Sequence, residues 1–287
     1  MGAWLCDTGR PMSSGRRNLL LGLGVVGVAA LGLALFIGLR GDGATFNVMG
    51  RQMYMRCEGS GAPVVVLEAG LGGDHHVWDE IASYLAAVTR VCAYDRAGVG
   101  RSEPADGPRS ALTVVDDLAA LLDVADVPGP YVLAGHSFGG LTSERFAERH
   151  PDLVAGLVLI EPSHPQDGTR WREILTPEQW AQVQSMWRDT PEPIDFVTVA
   201  QDPEPLGPIS PVPLTVVTAT GSLDVLCQQG LPCDALAAIG EEHHKDYVEL
   251  SPAGRHLHVA TGHDVLHEDQ QVVIDEILRV VDLARQG

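Results

Sequence analysis

Six short apolar runs, set apart by stretches of helical periodicity, restrict this chain more than any other feature: Val64–Glu68, Val91–Tyr94, Tyr131–Ala134, Leu157–Ile160, Leu214–Thr218 and Arg255–Ala260. Runs of this length suit buried strands and are too short for buried helices. Between them, Thr113–Val124 brings Val114, Leu118, Leu121 and Leu122 to one helical face, and Gln270–Arg285 does the same with Val273, Ile274, Ile277, Leu278 and Val281. Strands apolar on both faces that alternate with helices predict an α/β class: a mainly parallel central sheet with helices on both faces. In such a sheet the chemistry gathers beyond the carboxyl ends of the strands. A chain of 287 residues, 45% of them hydrophobic, is long enough for one such core.

The N-terminus is of another kind. Residues 19–39 form an uncharged run of 21 residues, which as a helix spans roughly 30 Å, the thickness of a bilayer core. Arg10, Arg16 and Arg17 precede the run and Arg40 follows it. The positive-inside rule then predicts a cytoplasmic N-terminus (1–18), a transmembrane helix (19–39) and an extracytoplasmic domain (40–287), so that the membrane is a partner. Two alternatives stay open: a cleaved signal peptide with a secreted product, and a buried core helix. Residues 40–46 read as a linker.

A formal net charge of −19 argues against a nucleic-acid partner, whose phosphates would be repelled. Oligomeric state is not legible. Four cysteines, Cys57, Cys92, Cys227 and Cys233, would face an oxidising compartment under this topology. Cys227 and Cys233 enclose a turn-prone QQGLP, which suits a local disulfide as well as two separate thiols. No Cys/His set has zinc spacing. The adjacent pairs His75-His76 and His243-His244 read as surface or loop residues, and His256 and His258, on one strand face, as packing or surface residues.

Gly135-His136-Ser137-Phe138-Gly139 follows the run YVLA and opens a helical stretch, Gly140–Arg149. A serine on a strand-to-helix turn needs small neighbours, and the helix N-terminus behind it favours developing negative charge. Ser137 is therefore the candidate nucleophile. The pentapeptide with Gly140, the later His150-Pro151 and LVLIEPSHP, and the upstream loop Tyr94-Asp95-Arg96-Ala97-Gly98-Val99-Gly100-Arg101-Ser102 together resemble the α/β-hydrolase superfamily from about Val64 to the C-terminus. The upstream loop reads as structural.

The resemblance implies the rest of a serine-hydrolase site. The oxyanion donors would be the backbone N–H groups of Phe138 and of Leu71, the latter in the loop Glu68–Gly73, where relatives often carry His-Gly and this chain does not. Glu68 would be a structural acid bonded to loop amides or, in the alternative, a charge that perturbs the site. The superfamily's order of nucleophile, acid, base puts the base at His263 in Gly262-His263, with His267 as runner-up; His136 would point away from Ser137. For the acid, Asp224 in Gly221-x-x-Asp224 and Glu161 at the end of LVLI compete, with Asp167 behind them.

Residues 162–213, between two core strands, form a helical cap insertion. Thr176 suits an N-cap, and Trp180, Val183 and Trp187 share one face of the helix that follows. That face either packs on the domain or lines an apolar acyl pocket, and Trp180 and Trp187 are the candidate substrate-binding residues. The chemistry implied is hydrolysis of a small-molecule carboxylic ester with no metal and no organic cofactor. The alternatives are another acyl chemistry on the same triad (peptidase, C–C hydrolase, acyltransferase or perhydrolase) and an inactive membrane-anchored binding protein.

Overall fold

The computed structural model describes residues 43–287; the segment 1–18 and the expected anchor 19–39 lie outside the described residues. Eight strands make one sheet: β1 (Ala44–Val48), β2 (Arg51–Glu58), β3 (Val64–Glu68), β4 (Val91–Tyr94), β5 (Tyr131–His136), β6 (Val154–Ile160), β7 (Leu214–Ala219) and β8 (Gly254–Val259), in the order β1-β2-β4-β3-β5-β6-β7-β8. From β4 to β8 all pairings are parallel, whereas β2 runs antiparallel to both β1 and β4. The hairpin corrects the reading of 40–46 as a linker. Its turn is Met49-Gly50, both at positive φ (50° and 85°), as a two-residue turn matched to strand twist requires. Methionine is not a turn signal, so the hairpin was not legible.

The helices are α1 (Asp79–Leu85), α2 (Ala111–Val124), α3 (Phe138–Arg149), α4 (Asp167–Ile174), α5 (Pro177–Arg188), α6 (Phe196–Val199), α7 (Asp224–Gln228), α8 (Cys233–Glu249), α9 (Val265–Glu268) and α10 (Gln270–Ala284). Both sheet faces are covered, as expected. Alternate strand residues divide between them because successive side chains of a strand point to opposite faces. Val65, Leu67, Val132 and Val158 pack with α1 and α10, while Val64, Val66, Leu133 and Leu157 pack with α2, α3 and Tyr247 of α8.

The connection from β6 to β7 carries α4, α5 and α6. Helix α5 starts where the sequence predicts: the Thr176 hydroxyl accepts from Gln179 N–H, and the Gln179 side chain accepts from Thr176 N–H. Val183 is buried beneath it, with Trp180 and Trp187 half-buried on the same side.

Two disulfides are formed, Cys57–Cys92 and Cys227–Cys233. The first joins residues directly opposed in the β2–β4 pairing, a proximity only the sheet creates. The adjacent histidines are a further correction. His75, His243 and His244 are buried, and His243 and His244 lie on α8. Each has a polar partner that makes burial affordable: Asp95 for His75, Asp167 for His243, and both Thr218 and the Pro162 carbonyl for His244.

Candidate active site

Ser137 joins β5 to α3 with φ 55° and ψ −119°, a conformation costly for any residue with a Cβ. The surroundings hold it there. Its N–H donates to the Ile160 carbonyl at 2.9 Å, and its own carbonyl accepts from Gly140 N–H at 2.9 Å and Ser163 N–H at 3.0 Å. The flanking glycines are needed for close approach: a Cβ on Gly135 would collide with the Gly139 backbone, and one on Gly139 with the carbonyls of Glu68 and Ala69. The spacing of the pentapeptide is thus a packing requirement. It puts Ser137 and the first amides of α3 at the carboxyl end of the sheet.

His263 lies past the end of β8, with its side chain about half exposed. Its Nδ1 has two partners, Ser222 Oγ at 3.0 Å and Glu161 Oε2 at 3.5 Å. Glu161 follows β6 at φ 46°, like Ser137 a non-glycine residue held at positive φ. Its N–H donates to Val217 O at 2.8 Å and its Oε1 accepts from Ala219 N–H, so the end of β7 grips it twice. Burial pushes the Glu161 carboxyl up. Hydrogen bonds from His263, Ser222 and Ala219, with the charge of His244, outweigh burial and leave the carboxyl below its ordinary value.

Of the two carboxylates left open by the sequence, the structure brings Glu161 to His263. Asp224 is the exposed first residue of α7, its N–H bonded to Gly221 O at 3.1 Å, and among the described residues it is not a partner of His263. The Gly221–Asp224 loop offers Ser222 instead, which the sequence reading passed over. Asp167 accepts from His164 N–H and pairs with His243, and His267 pairs with Asp264 on the surface.

His136 meets His263, a contact the sequence did not suggest. Its ring lies 4.9 Å from that of His263, and its Nε2–H donates to the His263 carbonyl at 2.8 Å. Burial, with the neighbouring His263, pushes His136 down to about 4. A neutral imidazole therefore ties the loop of His263 to the residue before Ser137.

The loop after β3 is held by charge. Arg96 donates to the carbonyls of Ala69 and Gly70, both at 2.6 Å, and to the carboxylates of Glu68 at 2.8 Å and Glu192 at 2.5 Å. Glu192, from the β6–β7 connection, also accepts from Gly72 N–H, and the Gly73 N–H bonds Gly70 O. Glu68 is thus structural, through Arg96 and the Tyr94 hydroxyl (2.5 Å) and not through loop amides. Asp95 is likewise structural, accepting from His75 and from Arg101 N–H. Leu71 and Trp187, both half-buried, pack against the cluster that contains Phe138 and Phe196. Edge-to-face contacts run from Phe138 to Phe196 (5.7 Å), to Trp187 (5.2 Å) and on to Trp180 (5.6 Å).

Comparison with known proteins agrees with this fold. Residues 63–201 match the family model described as alpha/beta hydrolase fold. The protein of Hormonema carpetanum named "Probable transporter efuK" is 26% identical over 275 residues, 77% of this chain and 40% of that protein. "Lipase LipV" of Mycobacterium tuberculosis is 37% identical over 124 residues, 43% of this chain and 46% of that protein. The chain spans less than half the length of these two relatives. Among solved structures, the enol-lactonase of Burkholderia xenovorans LB400 superposes with a TM-score of 0.61 over 83% of this chain and 99% of its own, at 19% identity.

Proposed function

Because this chain belongs to the α/β-hydrolase superfamily, we propose that it is a serine hydrolase that cleaves a small-molecule carboxylic ester through an acyl-enzyme. The observation that carries the proposal is the backbone of Ser137, held at φ 55° between a strand and a helix, with His263 and Glu161 bonded to each other across the neighbouring strand ends.

The steps follow from that arrangement. His263 Nε2 takes the hydroxyl proton as Ser137 Oγ attacks the acyl carbon. The N–H groups of Phe138 and Leu71 hold the oxyanion, with the positive end of α3 behind the first. His263 returns the proton to the leaving alcohol, then activates water to release the acid. Glu161 and not Asp224 orients His263 and stabilises its charged form, directly and through the Ser222 hydroxyl. A carboxyl held below its ordinary value is ionised at neutral pH, as that role requires. The aromatic chain from Phe138 to Trp180 favours an apolar acyl group.

The test is a fluorophosphonate probe with a series of p-nitrophenyl esters. Ser137→Ala is expected to lose labelling and at least about 10⁴-fold in kcat/KM; full esterase activity in that variant sinks the mechanism. Glu161→Gln is expected to lose on the order of 10³-fold and Asp224→Asn less than about twofold; the reverse order makes Asp224 the acid.

The domain works outside the cytoplasmic membrane, tethered by residues 19–39. Two disulfides in the described residues suit an oxidising compartment. Fractionation with N-terminal sequencing checks this: the anchor reading expects membrane-bound protein that keeps residues 19–39, and a soluble product starting after residue 39 establishes secretion instead.

A further inference from the structure

Strand β8 ends four residues before His263 and is an outer strand of the sheet, paired on one side only with β7. His256 and His258 lie two apart on it, so their rings share one face, with centroids 4.3 Å apart. Helix α8 covers that face and contributes Glu241, whose Oε2 is 2.9 Å from His258 Nε2. One nitrogen from each ring and one Glu241 oxygen all lie within 4.8 Å of one another.

We propose that Glu241, His256 and His258 form a binding site for a divalent transition-metal ion of the Zn²⁺ class, clamping α8 to the outer strand of the sheet. Two imidazoles and a carboxylate are the donors that zinc and its neighbours prefer over calcium or magnesium. A zinc ion with nitrogen ligands at about 2.0–2.1 Å draws its ligands to roughly 3.3 Å apart, a closure that ring and carboxylate rotations supply.

Three features favour a metal over a plain ion pair. The site is reachable, with the Glu241 and His258 side chains 33% and 46% exposed. His256 is already oriented: its Nε2 is 2.7 Å from Thr218 Oγ1, which leaves the other ring nitrogen for a ligand. Such an outer partner is what fixes a ligating histidine. Finally, the net charge of −19 favours cations over the whole surface. The competing local cation is Lys245, which pairs with the other Glu241 oxygen at 3.1 Å and is itself 57% exposed.

The second His-and-acid group, Asp74-His75-His76, is a worse site: His75 is buried and its Nδ1 is engaged by Asp95 at 2.7 Å. It serves as the internal control. The test is a Zn²⁺ titration of the full-length protein in detergent by calorimetry, with metal content after dialysis. One equivalent is expected. His256→Ala and His258→Ala should each weaken binding at least about tenfold, and His76→Ala should leave it unchanged. Equal binding by wild type, His256→Ala and His258→Ala overturns the proposal, as does no binding by wild type or loss in His76→Ala. A Co²⁺ titration of the unmodified protein reads the same site without a variant: intense visible bands of low-coordinate cobalt support it, and the pale spectrum of aqueous Co²⁺ alone overturns it.

Discussion

Two groups of buried carboxylates lie close to the elbow and are treated in opposite ways. Glu68 and Glu192 flank Arg96, and every strong donor of that guanidinium is used, on two carboxylates and two loop carbonyls. Glu144, on α3, is fully buried with neither carboxylate oxygen hydrogen-bonded, and its nearest cation, Arg145, stands 3.8 Å away while bonding Glu148 and two carbonyls. Burial drives the Glu144 carboxyl up to about 8, against the weaker pull of Arg145. The difference teaches that a buried acid is worth what its partners make it. The first group ties the Leu71 loop to the β6–β7 connection; the second is a neutral acid stored in a helix.

Breaking the first group should have the largest effect. Arg96→Met leaves two carboxylates buried without their cation and is expected to cost about 3–5 kcal/mol, lowering the melting temperature by about 10 °C in calorimetry. A change under about 1 kcal/mol would mean the clamp is ornamental. A gentler cut sharpens the functional half of the comparison. Glu192→Gln can still accept from Gly72 N–H but withdraws one charge from Arg96. If the clamp positions the oxyanion loop, kcat falls about tenfold while KM stays within about twofold, a fraction of the loss expected for deleting a donor outright; equal losses in stability alone would make the clamp structural only.

The smallest effect has the opposite sign. The folded chain keeps Glu144 protonated to about pH 8, whereas the unfolded chain loses that proton near 4.5. Above 4.5 the unfolded state therefore gains from ionisation and the folded state does not, so this group lowers stability as pH rises from about 4.5 to 8. Glu144→Gln should stabilise the protein by on the order of 1–2 kcal/mol at pH 8 and by close to nothing at pH 4, read from denaturant midpoints at the two values. Activity should not change.

Which parts of the site were legible follows from how far apart their parts lie in the chain. The strand runs Val64–Glu68 and Val91–Tyr94 were read to the residue, because a strand buried on both faces leaves an unbroken apolar run. The cap helix was read from Thr176 and Pro177 because capping is local. The hairpin β1–β2 escaped because its residues are mixed and its turn carries methionine. Helix α8 escaped because its inner face buries His243 and His244, polar residues whose partners come from elsewhere. Ser222 and His136 escaped for the same reason: each matters only through His263, 41 and 127 residues away.

Ser137 and its glycines were determined by the sequence itself, since the turn that strains the serine and the small residues that permit it are covalent neighbours. The parallel sheet was determined there too, through the repeated alternation of apolar run and helix. What only the tertiary structure decided is which carboxylate faces His263, what clamps the Leu71 loop, and that Glu241 meets His256 and His258. Each of those is a meeting of strand ends or of a helix with a strand, and such distances are set by sheet order and register, which no local pattern encodes.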